Sequence, residues 1–217
     1  MDALIGNLDL WSEGLSNTLI LFFAGGVIAL VLGLLVGAMR VSPIPVARAV
    51  GTAYVNIIRN TPLTLVFFFF VFGYPKLGLP DLPPLVLAIA AISIYTATYV
   101  AEVLRAGIST VPVGQAEAAR AIGLPFGQVM SQVVLPQAFR SVMPPMMSVF
   151  IALLKNTTVA AGFSIAELAT VRATVADNDR PGTMLEILLW VAAIFVVLVL
   201  LLAWVQRIME RKWRIVR

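Results

Sequence analysis

Sixty per cent of the 217 residues are hydrophobic, only 12% are charged and the mean hydropathy is +0.98, which is more apolar surface than a soluble domain can hide. The formal charge of +4 is scattered between apolar stretches and gathered at the C-terminus, where anionic lipid headgroups account for it, so no nucleic-acid partner is indicated. The chain has neither cysteine nor histidine, which excludes disulfide and thiolate chemistry and removes the commonest zinc, copper and haem ligands; no metal site is expected.

A spanning helix needs roughly 20 mostly apolar residues, and five segments meet that test. The N-terminal Met1–Leu10 is acidic and lacks the basic start of a cleaved signal peptide, so the first apolar stretch, 15–39, reads as a retained span. Its glycines Gly25, Gly26, Gly33 and Gly37 let another helix approach closely. The second span, 46–74, is interrupted by Arg59-Asn60-Thr61-Pro62. Proline at a first helical position, with Asn60 or Thr61 capping, predicts a helix broken there. The third span covers 85–104, the fourth 133–154 and the fifth 184–205. Pro144-Pro145 should bend the fourth, since each proline deletes a backbone hydrogen bond. The polar segment 158–182 is not a full span, and Ser164-Ile165-Ala166-Glu167 reads as the capped start of a short helix. The chain is therefore expected to be an all-α, polytopic membrane protein, a single transmembrane domain over 1–217.

Lysine and arginine in the loops set the orientation. Arg40, Arg48, Arg105, Arg120, Arg207, Arg211, Lys212, Arg214 and Arg217 fall on one side, and a mixed to acidic set including Asp9, Glu13, Asp81 and Glu167 falls on the other. The basic side should be cytoplasmic, with the N-terminus outside and the C-terminus inside, as five spans require. Trp204 and Trp213 near the inner end and Trp11 near the outer end suit interfacial anchoring.

The loop 105–132 then lies in the cytoplasm. Within it Pro112 to Ile122 reads as a short helix made thin by Ala116, Ala118, Ala119 and Ala121, with Gly123 at the left-handed position after it. Glu117-Ala118-Ala119 is followed after three residues by Gly123, and after nine more by Val133, a spacer, Leu135 and Pro136. This spacing resembles the EAA loop of bacterial importers driven by ATP-binding cassettes, with Val133 in place of the usual Ile. Arg59-Asn60-Thr61-Pro62, the run Ala101 to Ile108, and Leu154-Lys155-Asn156-Thr157-Thr158 are similar to the histidine/glutamate/glutamine/arginine/opine permeases of that superfamily, and most like actinobacterial glutamate permeases. The resemblance implies the type I importer permease fold and a location in the bacterial cell membrane. It also implies assembly with a second, usually paralogous permease, a dimer of ATPase subunits and an extracellular solute-binding protein. Glu117, Ala118 and Ala119 would enter a cleft of the ATPase, Gly123 would permit the sharp turn, Leu135 would pack at it and Pro136 would start the next span. The chain has no Gly-x-x-x-x-Gly-Lys-Ser/Thr loop and no dinucleotide fingerprint, so it is expected to hold no cofactor and to catalyse nothing. ATP and magnesium would sit on the separate ATPase.

Ionisable residues inside a span need a reason, since insertion costs about 2.5–3.5 kcal/mol each. Leu63 to Tyr74 is too short to span alone, which places Arg59 some way into the membrane. There its guanidinium either pairs with a substrate carboxylate, with Thr61 beside it, or serves a structural ion pair. Glu102 and Arg105, three apart, suit a mutual ion pair or a gate. Lys155, Asn156 and Thr157 either line the substrate path or simply terminate the fourth helix. Family members often carry Asp at the position of Asn156, and its absence favours an acidic or neutral substrate over a basic one. Phe67 to Phe70 reads as packing rather than a ligand cage, Arg140 as an inner-interface anchor, and Asp177-Asn178-Asp179-Arg180 as a surface for the binding protein. The rival substrates are glutamine, aspartate and basic amino acids. A rival of another class is a self-contained channel or secondary transporter, which would show inverted repeats; no internal repeat is evident.

Overall fold

The computed structural model describes residues 7–171 and 184–212. Among them the helices are α1 (Leu8–Val41), α2 (Pro45–Arg59), α3 (Leu63–Phe68, continued by a wide turn Phe69–Gly73 and a tight one Tyr74–Leu77), α4 (Pro84–Ser109), α5 (Val113–Ala121), α6 (Phe126–Gln128), α7 (Leu135–Asn156, continued by the tight turn Thr157–Phe163) and α8 (Met184–Lys212). Four helical stretches are long and apolar enough to cross a membrane: α1, α4, Phe126–Phe163 and α8. The second predicted span is not one helix, because α2 and α3 meet at an angle of 97°. Counted as one broken span, that pair brings the total to five.

The break has a local cause that differs from the capping read in the sequence. Asn60 Nδ2 and the Thr61 hydroxyl donate backwards to the carbonyls of Asn56 and Ile57 at 2.7 and 2.8 Å, so they close α2 rather than cap α3. Pro62, extended at φ −56° and ψ 138°, is the N-cap of α3 and not its first helical residue. α2 itself buries only Gly51 and Val55 and lies across the end of α1.

α4 is the hub of the bundle, packing against α1, α2, α3 and α7. Its buried face is rich in small residues, with Ala88, Ala91, Ser93, Thr96, Ala97 and Ala101 beside Leu87, Ile92 and Val100. Of the α1 glycines, Gly25, Gly33 and Gly37 face it and Gly26 faces Phe150 and Leu153 of α7; a Cβ on Gly33 would overlap Val100, and one on Gly37 would sit 2.9 Å from Leu104. Lipid is as apolar as leucine, so this close backbone contact, with Ser93 donating to the Gly25 carbonyl at 3.3 Å, does the work that hydrophobic burial does in water. Phe67 is fully buried and stacks on Phe163 at 5.4 Å, the structural role expected of the aromatic run. α8 packs on α7 and exposes Leu189, Val196, Leu200 and Trp204.

The fourth span starts earlier than its predicted residue 133. Its helix begins at Phe126, α4 continues to Ser109, and the loop expected over 105–132 shrinks to 110–125. A wide, π-type turn over Val129–Val134 precedes Pro136, whose missing N–H cannot bond the carbonyl four residues back; the extra residue in the turn accommodates that gap. α7 runs unbroken through Pro144 and Pro145.

At the opposite end, Ser164 does not cap a helix. It adopts φ +59° and ends the turn Thr157–Phe163, while the Glu167 N–H donates to the Thr170 hydroxyl at 3.1 Å. Trp11 is not an interfacial anchor either: it is buried among Leu168, Val171, Ile187 and Val191. Trp204 is exposed, as anchoring requires. Arg172, the Asp177–Arg180 run, Trp213, Arg214 and Arg217 lie outside the described residues.

Candidate functional site

The predicted short helix is α5, bounded by Pro112 and Ile122. Glu117, Ala118 and Arg120 are exposed, and Ala119 is buried against Val129 and Val134. Gly123 turns the chain at φ +90° with open space around its Cα, so glycine is required there by backbone conformation and not by crowding. Leu135 does not close this turn. Val134 takes that place, while Leu135 stays 46% exposed and lines an apolar cavity of about 370 Å³ with Leu34, Leu104 and Phe126. Pro136 stands in the first turn of α7.

Three contacts that the sequence did not reveal join this region: one fastens α5 to α7, and two fasten the end of α4 to α7. Gln137 donates to the Gln115 side-chain carbonyl at 2.5 Å. Thr110 and Ser141 share a hydroxyl–hydroxyl bond of 2.9 Å. Gly107 lets α4 touch α7 so closely that a Cβ would overlap Val142. A single glutamine or threonine carries no periodic signal, so only the coordinates could pair them.

Between α4 and α7 lies a half-open cavity of about 390 Å³ whose walls are mostly apolar, Val149, Ala152 and Leu153 among them, with a few polar groups. Tyr95, Thr96 and Tyr99 line it from α4, Ser148 and Asn156 from α7. The Tyr95 and Tyr99 hydroxyls are 2.9 Å apart, and Gln206 of α8 donates to Ser148 at 3.3 Å. The Thr96 hydroxyl is buried and has no hydrogen-bond partner among the described residues. An unmatched buried hydroxyl costs about 1–3 kcal/mol, so it suits a polar guest better than an empty wall.

Of the predicted substrate-path residues, the structure brings Asn156 to this cavity and sets Arg59 beside it, with its guanidinium 5.5 Å from the centre of the Tyr99 ring. Three others point elsewhere. Lys155 lines a separate groove with Phe195 and Val199 of α8. Thr157 is buried and its hydroxyl returns to the Leu154 carbonyl at 2.7 Å, the helix-ending role. Thr61 bonds back into α2.

Glu102 and Arg105 form the expected ion pair at 2.6 Å. The pair belongs to a larger cluster: Arg40 of α1 donates to the other Glu102 oxygen at 2.5 Å, and Arg59 stands 3.8 Å from that same oxygen. One carboxylate thus ties α4 to the ends of α1 and α2, about two turns before the loop that carries α5.

The geometry matches proteins already known. Residues 29–215 match the family of binding-protein-dependent transport system inner membrane components. The chain is 42% identical over 161 residues to the glutamate transport system permease protein GluC of Corynebacterium efficiens, covering 69% of this chain and 71% of that protein. It is 31% identical over 210 residues to the arginine transport system permease protein ArtQ of Bacillus subtilis, covering 97% and 95%. Among solved structures, an amino acid ABC transporter with histidines superposes with a TM-score of 0.89 at 29% identity over 96% of both chains. The MetNI methionine ABC transporter shares the fold, with a TM-score of 0.78 at 22% identity over 96% of this chain and 98% of the other. The all-α bundle is therefore the type I importer permease fold, and the chain belongs to the binding-protein-dependent transport system inner membrane component family.

Proposed function

We propose that this chain is the permease subunit of an ATP-binding-cassette importer that carries a polar amino acid, L-glutamate first, into the bacterial cell by alternating access. The observation that carries the proposal is mechanical. The exposed helix α5, bearing Glu117, is fastened to α7 by Gln115–Gln137, and α7 is tied in turn to the end of α4 by Thr110–Ser141, so that α5 is joined to the two helices that wall the cavity. Force applied to α5 by a partner therefore reaches the cavity walls directly.

In this reading α5 faces the cytoplasm, with the N-terminus outside and the C-terminus inside. ATP and magnesium sit on a separate ATPase dimer; this chain hydrolyses nothing. Closure of that dimer moves the α5 helices of two permeases together and opens the path outward to a loaded solute-binding protein, and hydrolysis resets it inward. Glu117, Ala118, Ala119 and Gly123 make the coupling contact and its turn. Asn156 and Arg59 flank the substrate path, and Glu102 and Arg105 hold its inner end.

Glutamate is favoured by the relatives named for glutamate and by the arginines beside the cavity. A basic substrate, suggested by the nearly full-length likeness to an arginine permease, would meet those guanidiniums without a carboxylate at residue 156. The test is the ATPase rate of the reconstituted complex with binding protein loaded with each amino acid in turn. Stimulation by glutamate alone is expected. Stimulation by glutamine or arginine instead would keep the importer and correct the substrate. Uptake that survives ATP depletion would overturn the importer.

A further inference from the structure

The Arg40–Glu102 contact has an unusual balance. Arg40 is half-buried as a residue, its side chain only 9% exposed, and its Nε has no hydrogen-bond partner among the described residues. A guanidinium held dry with one N–H unmatched is unfavourable by itself. It is retained by one strong contact, its 2.5 Å bond to the Glu102 carboxylate. Arg59, 3.8 Å from the oxygen that Arg40 bonds, is 46% exposed, and Arg105, bonded to the other oxygen, is 43% exposed. Three guanidiniums therefore share one carboxylate, and the excess positive charge falls on Arg59, the most loosely held. Arg59 also stacks over Tyr99, a wall of the cavity, so the excess charge stands at the cavity rim.

We propose that Arg40 sets the substrate charge preference of this permease: it satisfies the Glu102 oxygen that Arg59 also faces, while Arg105 holds the other oxygen, and so leaves Arg59 as an open cation for an acidic amino acid. Arg40 is a positioning residue and does not touch the substrate. Without it, the vacated Glu102 oxygen would turn to Arg59, and an incoming carboxylate would meet a neutralised guanidinium and a repelling neighbour. Guanidinium–carboxylate bonding is strong where water is partly excluded, so losing this arrangement should be felt by glutamate and not by its neutral isostere glutamine. The inference rests on the amino-acid importer reading above.

The experiment is equilibrium binding of radiolabelled glutamate and glutamine to the complete importer in nanodiscs, with the ratio of the two affinities as the readout. The unmodified complex is expected to prefer glutamate. Arg40→Gln should weaken glutamate about tenfold or more, the scale of one hydrogen bond to a charged group, and leave glutamine unchanged. Arg40→Lys should keep the preference. Adding Glu102→Gln to Arg40→Gln should restore it, because the carboxylate that silences the open cation is gone. If Arg40→Gln does not assemble, Arg59→Gln removes the half-exposed, loosely held cation without leaving a buried charge, and it should erase the preference on its own. Equal losses for both amino acids would mark a purely structural ion pair and overturn the proposal, as would failure of the double variant to recover glutamate or absence of saturable glutamate binding to the unmodified complex. Loss of pairing between the two permeases with an unchanged ratio would assign the cations to the subunit contact and also overturn it. Uptake of a different amino acid and none of glutamate would instead sink the substrate reading; glutamate uptake with an unaltered ratio in the variants would sink only the role of Arg40.

Discussion

Gly107→Ala tests the seam through which α5 acts on the cavity. Gly107 lies on α4 where it meets α7, and a Cβ built there falls well inside contact distance of Val142 Cγ2. The next neighbours, Val142 Cβ at 3.4 Å and the Ala138 carbonyl at 3.5 Å, are ordinary contacts. The clash is therefore with one γ-methyl. That methyl cannot swing aside cheaply, because valine in a helix strongly prefers a single χ1 rotamer. Overpacking of this kind costs about 1–3 kcal/mol, against which replacing a mid-helix glycine by alanine returns about 1 kcal/mol of propensity. A net loss of up to about 2 kcal/mol is expected for Gly107→Ala. Val142→Ala removes the γ-methyls, so the double variant should be more stable than the sum of the single effects by about 1 kcal/mol or more, as expected of directly touching residues. The assay is thermal unfolding of the purified complex in detergent for the four members of the cycle, alongside uptake coupled to ATP hydrolysis. Gly107→Ala should lower uptake per ATP, and Val142→Ala in the same chain should recover it. Strict additivity in stability, or full coupling in the single variant, would refute the claim that α4 and α7 transmit force through this contact.

Other expectations concern the coupling loop, the cavity and the far end of the bundle. Glu117→Lys reverses an exposed charge on α5 and should lower association with the ATPase by at least about tenfold without altering the unfolding temperature; co-purification measures the first and calorimetry the second, and unchanged association would remove Glu117 from the interface. Gly123→Val forces a β-branched residue to φ +90° and should cost about 1–3 kcal/mol of local strain, read as loss of coupled uptake with the spans intact by circular dichroism. Thr96→Val removes the unmatched buried hydroxyl, so it should stabilise the empty complex by about 1 kcal/mol while weakening substrate-driven ATPase stimulation; destabilisation would mean that the hydroxyl already has a partner. Glu167 is fully buried, and burial pushes its carboxyl up to about 7 although the Ala169 N–H, at 2.7 Å, and the Thr18 hydroxyl favour its charge. Its folded state thus holds a proton that the unfolded chain releases near 4.5, so this contribution is present at low pH and lost as pH rises from about 4.5 through 7, amounting to about 3 kcal/mol. Unfolding temperature measured from pH 5 to 8 should fall more steeply for the natural chain than for Glu167→Gln; equal slopes would refute this assignment.

What the sequence reveals here is whatever repeats or whatever backbone chemistry demands. Apolar length marks the long helices, because a membrane imposes one scale on every span. The α1 glycines are readable because only a close helix crossing places small residues along one stripe, and Gly123 because a positive φ admits few others. The break at Arg59–Pro62 is readable for the same reason, although its chemistry runs backwards: Asn60 and Thr61 sit near two sets of unmatched backbone groups, and nothing in their order says whether they will bond the carbonyls behind or the N–H groups ahead. Trp11 and Ser164 mislead for a related reason. Each has a default environment, the interface for tryptophan and the N-cap for serine, and in each case a contact more than a hundred residues away overrides it. Asn17 donates to the Ala166 carbonyl at 2.6 Å and the Leu168 N–H donates to Thr18 at 3.0 Å, which fold 164–171 onto the start of α1 and enclose Trp11. The same limit hides Arg40. In sequence it is one more basic residue at the end of a span, indistinguishable from Arg48. Only the closure of α1 onto α4 sets it against Glu102, and that turns the simple Glu102–Arg105 pair into a four-membered cluster in which Arg59 is the loosely held member. The order in which these cations share a carboxylate is not encoded in composition or spacing; the packing of three helix ends decides it.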